Sequence, residues 1–249
     1  MTAFGALSAA MLKGFVRDRI TLLFTFLFPL MFIVTFGLLH DGPRHHDGSS
    51  SISRMIPMLT WAIAGTGVFG MSMTVVSWRK RHLLRRIRLA PVTVASVLLA
   101  RLTTNLFVTL AQTASFLAVV LMPTFGVRIS ARWWLGLPII LMGAIAFSGM
   151  GLLVGAVCQS EEAASALANF LVMPMALISG TFFDLDQAPA WLRRIADQTP
   201  IHHLNTALMN VLTDTRNLAG LTGSLTALAC FTVMTAGAAL RSFQWDTDY

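Results

Sequence analysis

Long apolar runs alternate with short basic or mixed segments along the whole chain. Six stretches contain no Asp, Glu, Lys or Arg: 21–39, 55–78, 102–127, 133–159, 163–183 and 217–240. Each approaches or exceeds the ~20 mostly apolar residues needed to cross a hydrocarbon core. The pattern therefore predicts an all-α membrane protein with six transmembrane helices. The first run has about twenty residues before it, exceeds the ~7–15 residues of a secretory h-region and precedes no A-x-A site, so it is expected to remain in the mature chain. Residues 4–20 place Phe4, Leu7, Met11 and Phe15 on one side and Lys13, Arg17 and Arg19 elsewhere, the signature of an amphipathic interfacial helix leading into the first span. The organisation reads as one transmembrane unit over 1–249, with an amphipathic helix at 1–20, six spans within 21–240 and a short tail at 241–249.

Composition supports that picture. Hydrophobic residues make up 55% of the 249 and charged residues only 12%, about half the share of an average soluble domain. Mean hydropathy is +0.71, which leaves more apolar surface than one core of this length hides. A net charge of +7 raises nucleic-acid binding in a soluble protein. Here the basic residues flank apolar runs, where they orient helices, and no nucleic-acid partner is expected. With both termini cytoplasmic, eleven of the 18 Lys and Arg lie inside, seven of them between the second and third spans. That asymmetry sets the expected topology, with Ser49 and Ser130 outside and His82 inside. Cys158 and Cys230 lie in apolar runs without a CxxC partner, which argues against a zinc or redox site. Gly65, Gly67 and Gly70 satisfy GxGxxG, but no strand precedes them and no acid follows about 20 positions on, so close helix packing is the better account. The longest polar segment, 181–216, is far too short for an NTPase domain.

Several spans carry a patterned face. In the third, Asn105, Thr109 and Gln112, with Ser115 at the edge, form a polar stripe whose groups need partners inside lipid. Bonding to neighbouring helices and a polar substrate path are its two readings. In the fourth, Ala144, Ser148, Gly151 and Gly155 form a small-residue packing stripe. The fifth aligns Glu161, Ser165, Asn169, Met173, Ala176 and Gly180 on a side suited to meet a second copy, with Glu161 and Glu162 favourably placed at a helix N-terminus.

Between the second and third spans, Leu83, Leu84 and Ile87 give a short basic helix an apolar side, while Arg85 and Arg86 add charge. A partner groove needs that apolar side; anionic lipid headgroups need only the charge. Between the last two spans, segments opening at Pro189 and Pro200 predict two short amphipathic helices, since proline favours the first helical position. Trp191, Leu192 and Ile195 mark one apolar side, and Ile201, Leu204, Leu208 and Leu212 the other. Both helices are expected to dip into the outer leaflet.

The order of these features resembles the permease subunits of type-2 ATP-binding-cassette exporters, over nearly the whole chain. The likeness rests on the amphipathic helix before the Phe28-Pro29-Leu30 span, the basic loop ending in Ala90-Pro91-Val92, Ser179-Gly180, and the pair opening at Pro189-Ala190-Trp191-Leu192 and Pro200-Ile201. Similar permeases usually carry Arg-Glu-x-Gly-Thr-Leu-Glu in the loop, where this chain has Arg79-Lys80-Arg81-His82-Leu83-Leu84-Arg85. They also tend to place an arginine near Met209, where this chain has none.

The resemblance implies a cytoplasmic coupling helix (Leu83, Leu84, Arg85, Arg86, Ile87) and an extracytoplasmic re-entrant helix pair. It implies a dimer contact through the first and fifth spans and a path lined by the second and fifth. Pathway or interface candidates are then Trp61, Phe69, Met71, Met73, Ser165, Asn169 and Met173. The implied partners are two ATPase subunits, which bind ATP and Mg, and a second permease, identical or paralogous. No cofactor is expected in this chain. The implied place is a bacterial inner membrane, and the implied activity is export of drugs, antibiotics or lipid-like natural products. A largely hydrophobic substrate agrees with abundant Met, Phe and Trp and with spans free of a mid-membrane charge. The alternatives are a membrane-embedded protease, for which Glu161-Glu162 lacks the arginine of EExxxR because position 166 is alanine, and an ATP-independent carrier, whose intramembrane ionisable residues and broken half-helices the six apolar runs do not offer.

Overall fold

The computed structural model describes residues 3–40, 48–80, 93–122, 130–179, 188–213 and 218–242. The described residues contain helices and no strand. In chain order they are α1 (Ala3–Arg17), α2 (Arg19–His40), α3 (Gly48–Lys80), α4 (Val94–Val120), α5 (Gly136–Val157, after a 3-10 turn at Trp133–Leu135), α6 (Glu161–Ile178), α7 (Ala190–Ala196), α8 (Pro200–Leu212) and α9 (Leu218–Ser242). Five segments, 55–80, 95–120, 133–157, 161–178 and 220–239, are long and apolar enough to cross a bilayer, and the bent pair 4–17 and 19–35 makes a sixth if counted as one span. The all-α, multi-span architecture expected from the sequence is therefore present. The segment Leu83 to Ile87, with His82, lies outside the described residues, as does Gly180.

Local chemistry sets the helix ends. Asp18 breaks the first helix pair, where the chain bends by 75°. Its carboxylate accepts from the Thr21 backbone N–H (3.2 Å) and hydroxyl (2.6 Å), capping α2. These bonds hold its pKa below the ordinary carboxylate value. Ser160 caps α6 by accepting from the Ala163 N–H, with Glu161 and Glu162 in the first turn. Thr93 caps α4. Because α4 starts at Val94 rather than near residue 102, Arg101 lies inside the helix and within a candidate span. The spans are thus not free of charge, as the apolar runs had implied.

α5 is the centre of the bundle and packs on α3, α4, α6, α8 and α9. The α3–α5 seam is glycine-dependent. A Cβ on Gly151 would lie 2.5 Å from the Val68 carbonyl oxygen, and one on Gly67 would lie 2.7 Å from Phe147 Cβ. Gly155 meets Val75 in the same way. The small-residue stripe of the fourth span and part of the GxGxxG run are therefore two sides of one seam. Arg79 closes its end by donating to the carbonyls of Cys158 (3.0 Å), Gly155 (3.0 Å) and Ala156 (3.3 Å), which would otherwise be unpaired at the α5 C-terminus.

The short helices differ from expectation in what covers them. The apolar side of α8 (Ile201, Leu204, Leu208, Leu212) is buried, and α8 packs on α3, α5 and α9. Protein covers this side where lipid was expected, because amphipathic spacing sets which side is apolar and not what covers it. Trp191 and Ile195 of α7 are exposed, as a leaflet-facing helix requires.

Candidate functional site

Opposite the α5 seam, α3 turns a second side to an open cleft of about 1000 Å³ walled by α1, α2, α3, α4 and α6. The α3 positions lining it include Trp61, Gly65, Thr66, Phe69, Gly70, Met73, Thr74, Ser77 and Trp78. Their spacings of three and four put them on one side of a 3.6-residue helix. Residues between them, such as Val68, Ser72, Val75 and Val76, are buried. One helix thus carries a dry side and a cleft side.

Of the sequence-derived candidates, Trp61, Phe69, Met73, Asn169 and Met173 line this cleft. Met71 is buried on the seam side, where a Cβ on Gly151 would come within 2.9 Å of its own Cβ. Ser165 does not line the cleft; its carbonyl accepts from Asn169 Nδ2 at 3.1 Å. At one end, Phe28, Phe32 and Trp61 form an aromatic group with ring centroids 5.0–5.8 Å apart.

The polar wall comes from α4. Gln112 Nε2 donates to the Thr25 carbonyl (2.8 Å), and its Oε1 accepts from the Thr66 hydroxyl (3.0 Å), tying α4 to α2 and α3. Thr25 is available because Pro29, four residues on, has no N–H to offer it. One turn before Asn105, Arg101 donates through Nε (3.2 Å) and Nη2 (2.8 Å) to the Gly70 carbonyl. A Cβ at position 70 would lie 2.9 Å from Asn105 Oδ1 and 3.2 Å from its Nδ2, so glycine gives the Asn105 amide its place, while Arg101 Nη2 at 3.4 Å would be in ordinary contact. Thr109 Oγ1 is buried without a hydrogen-bond partner among the described residues. Asn105 and Gln112 bond between helices, as the first reading of the stripe expects, and both also line the cleft.

Arg101 and the aromatic residues of α1 and α2 were not among the candidates. A search for charge-free runs discards an arginine at a run's edge. Extending the Asn105–Gln112 stripe back by four positions finds it. Among the described residues no group of three or more His, Cys, Asp or Glu converges as a metal site. Glu161 lines the cleft at the start of α6, whereas His202 and His203 belong to α8.

Comparison with known proteins agrees with this arrangement. The probable multidrug ABC transporter permease YbhR of Escherichia coli (strain K12) is 22% identical over 191 residues, covering 76% of this chain and 52% of that protein. The YbhR protein of Escherichia coli O157:H7 matches to the same extent. The chain thus spans about half the length of the curated relatives it matches. Residues 2–213, which take in α1 to α8, match the family described as ABC-2 type transporter. With its helices of membrane-crossing length arranged around an amphipathic cleft, this multi-pass membrane protein belongs to the ABC-2 type transporter family.

Proposed function

We propose that this chain is the membrane-spanning half of an ATP-driven exporter for hydrophobic or amphipathic compounds. The observation that carries the reading is the cleft. Trp61, Phe69, Met73 and Met173 give it polarizable apolar walls that adapt to varied shapes, and it is large enough for a drug-sized molecule. Two ATPase subunits bind ATP and Mg, and a second permease, identical or paralogous, completes the transporter. The segment Leu83, Leu84, Arg85, Arg86 and Ile87 docks the ATPase, since its sequence combines apolar residues with dense positive charge. The protein sits in a bacterial inner membrane with both termini cytoplasmic, and the cargo leaves the cytoplasm or inner leaflet.

The test is co-purification of an ATPase with the full-length permease, followed by compound-stimulated ATP hydrolysis after reconstitution. Leu84→Asp with Ile87→Asp should abolish ATPase association while membrane insertion persists. Met173→Trp should change the range of stimulating compounds at unchanged expression. An unaltered compound profile would return this wall to static packing, and an ATPase still bound to the double variant would leave the basic loop a headgroup anchor.

A further inference from the structure

A purely hydrophobic cargo does not need the cation in this cleft. Resting on the exporter reading above, we propose that Arg101 is an anion-binding subsite and that the cargo is an amphiphile pairing an apolar body with one oxyanion, a carboxylate or a phosphate.

The argument begins with cost. An arginine within a membrane span is expensive, and such residues face a protein interior or a wet cavity and pair with a partner. Arg101 lines the cleft and forms no ion pair with any described residue. Two of its five N–H donors go to the Gly70 carbonyl, which also accepts from the Thr74 hydroxyl at 2.7 Å. The remaining donors have no protein acceptor among the described residues.

The site is fixed on both sides. The Gly70 carbonyl holds the guanidinium against α3, and the Asn105 amide lies beside it in the space that the same glycine leaves. A guanidinium held through Nε and Nη2 keeps a defined orientation, which suits the forked recognition of an oxyanion. Phe69, Met73 and Met173 border the same cleft and would cover an attached hydrocarbon.

The two carboxylates that line the cleft do not neutralise this cation. Asp18 already accepts from Thr21, and Glu161 stands in the first turn of α6. Neither reaches Arg101 within 4.0 Å, the limit for an ion pair. Along α3, Gly70 is also nine positions before Arg79, which marks the end of the seam, so Arg101 engages roughly 13 Å farther along the helix.

The experiment uses the full-length permease in phosphatidylcholine nanodiscs, with 11-(dansylamino)undecanoate, its methyl ester and the matching primary amine as probes. Binding is read by energy transfer from tryptophan. Hydrogen bonds to a charged partner predict that the acid binds about tenfold tighter than the ester. Arg101→Gln should erase that preference and leave ester affinity unchanged, while Arg101→Lys should retain most of it. The acid-to-ester comparison on the unaltered protein needs no variant, so misfolding of Arg101→Gln does not decide the matter.

Discs containing phosphatidylglycerol identify the source of the anion. Competition that depends on Arg101 assigns the site to a lipid headgroup, and unchanged probe affinity assigns it to a free amphiphile. Equal binding of acid and ester, or a preference that survives Arg101→Gln, would overturn the subsite and leave Arg101 as a clamp between α3 and α4. Failure of all three probes to bind would instead remove the cleft as a cargo path, and the exporter reading of it would fall with the subsite.

Discussion

The two sides of α3 are built from the same residue types to opposite ends. On the α5 side, glycines at 67, 151 and 155 bring helix backbones together until no Cβ fits. On the cleft side, Gly65 has nothing within 4 Å of the position a Cβ would take, and Gly70 leaves space that Arg101 and Asn105 fill. Glycine thus makes a rigid seam in one direction and an occupied or open cavity in the other. The difference lies in what each glycine meets: backbone atoms and the Cβ atoms of Phe147, Met71 or Val75 at the seam, the long polar side chains of Asn105 and Arg101 at Gly70.

That contrast is most directly broken by making one substitution on each side. Gly151→Ala pushes a methyl against the Val68 and Gly67 carbonyl oxygens, at 2.5 and 2.8 Å, and these backbone atoms cannot rotate away. It should cost about 2–3 kcal/mol, read as a lowered thermal midpoint and loss of monodisperse protein in detergent. Gly65→Ala should be neutral or gain up to about 1 kcal/mol from helix propensity alone. Equal losses at the two sites would abolish the distinction between seam and cleft.

The next largest effect belongs to the end of the seam. Arg79→Met keeps much of the aliphatic stem but unpairs the carbonyls of Gly155, Ala156 and Cys158. A loss of about 1–2 kcal/mol is expected, toward the low end for charged hydrogen bonds because the side chain is only half-buried. Thermal unfolding of Arg79→Met beside Arg79→Lys measures it, with lysine retaining part of the difference.

On the cleft side, Gln112→Leu removes the bonds to Thr25 and Thr66. At about 0.6 kcal/mol for each interhelical bond in lipid, the cost is roughly 1 kcal/mol. Because the cleft wall also changes character, the compound profile should shift more than the thermal midpoint. A large stability loss with an unchanged profile would make α4 part of the brace.

The smallest effect concerns the joint between α1 and α2. Hydrogen bonds from Thr21 depress the Asp18 pKa below 3.8, so this carboxylate contributes stability above its ordinary value, lost as pH falls through the depressed one. Hydrogen exchange at the start of α2 should therefore quicken only in acid, while Asp18→Asn shows the faster exchange already at neutral pH. The exposed position keeps the change slight.

Much of this molecule is legible in residue order. Charge-free runs locate the spans, because lipid admits few ionised groups. Amphipathic spacing finds α1 and α8, Pro189 and Pro200 start the short helices, and small residues at 144–155 announce a packing side. Trp61, Phe69, Met73, Asn169 and Met173 are candidates only through the family resemblance, which implies a path between the second and fifth spans.

Tertiary structure decided the rest. Periodicity shows that a side is distinctive without showing what covers it, so Met71 goes to the seam and the apolar side of α8 meets protein. Arg101 is the clearest case. A sequence rule treats arginine as the end of a span, since an unpaired cation in hydrocarbon is prohibitive. Only the fold supplies the Gly70 carbonyl and an open cleft beside it, and together these permit the charge to continue inside the helix.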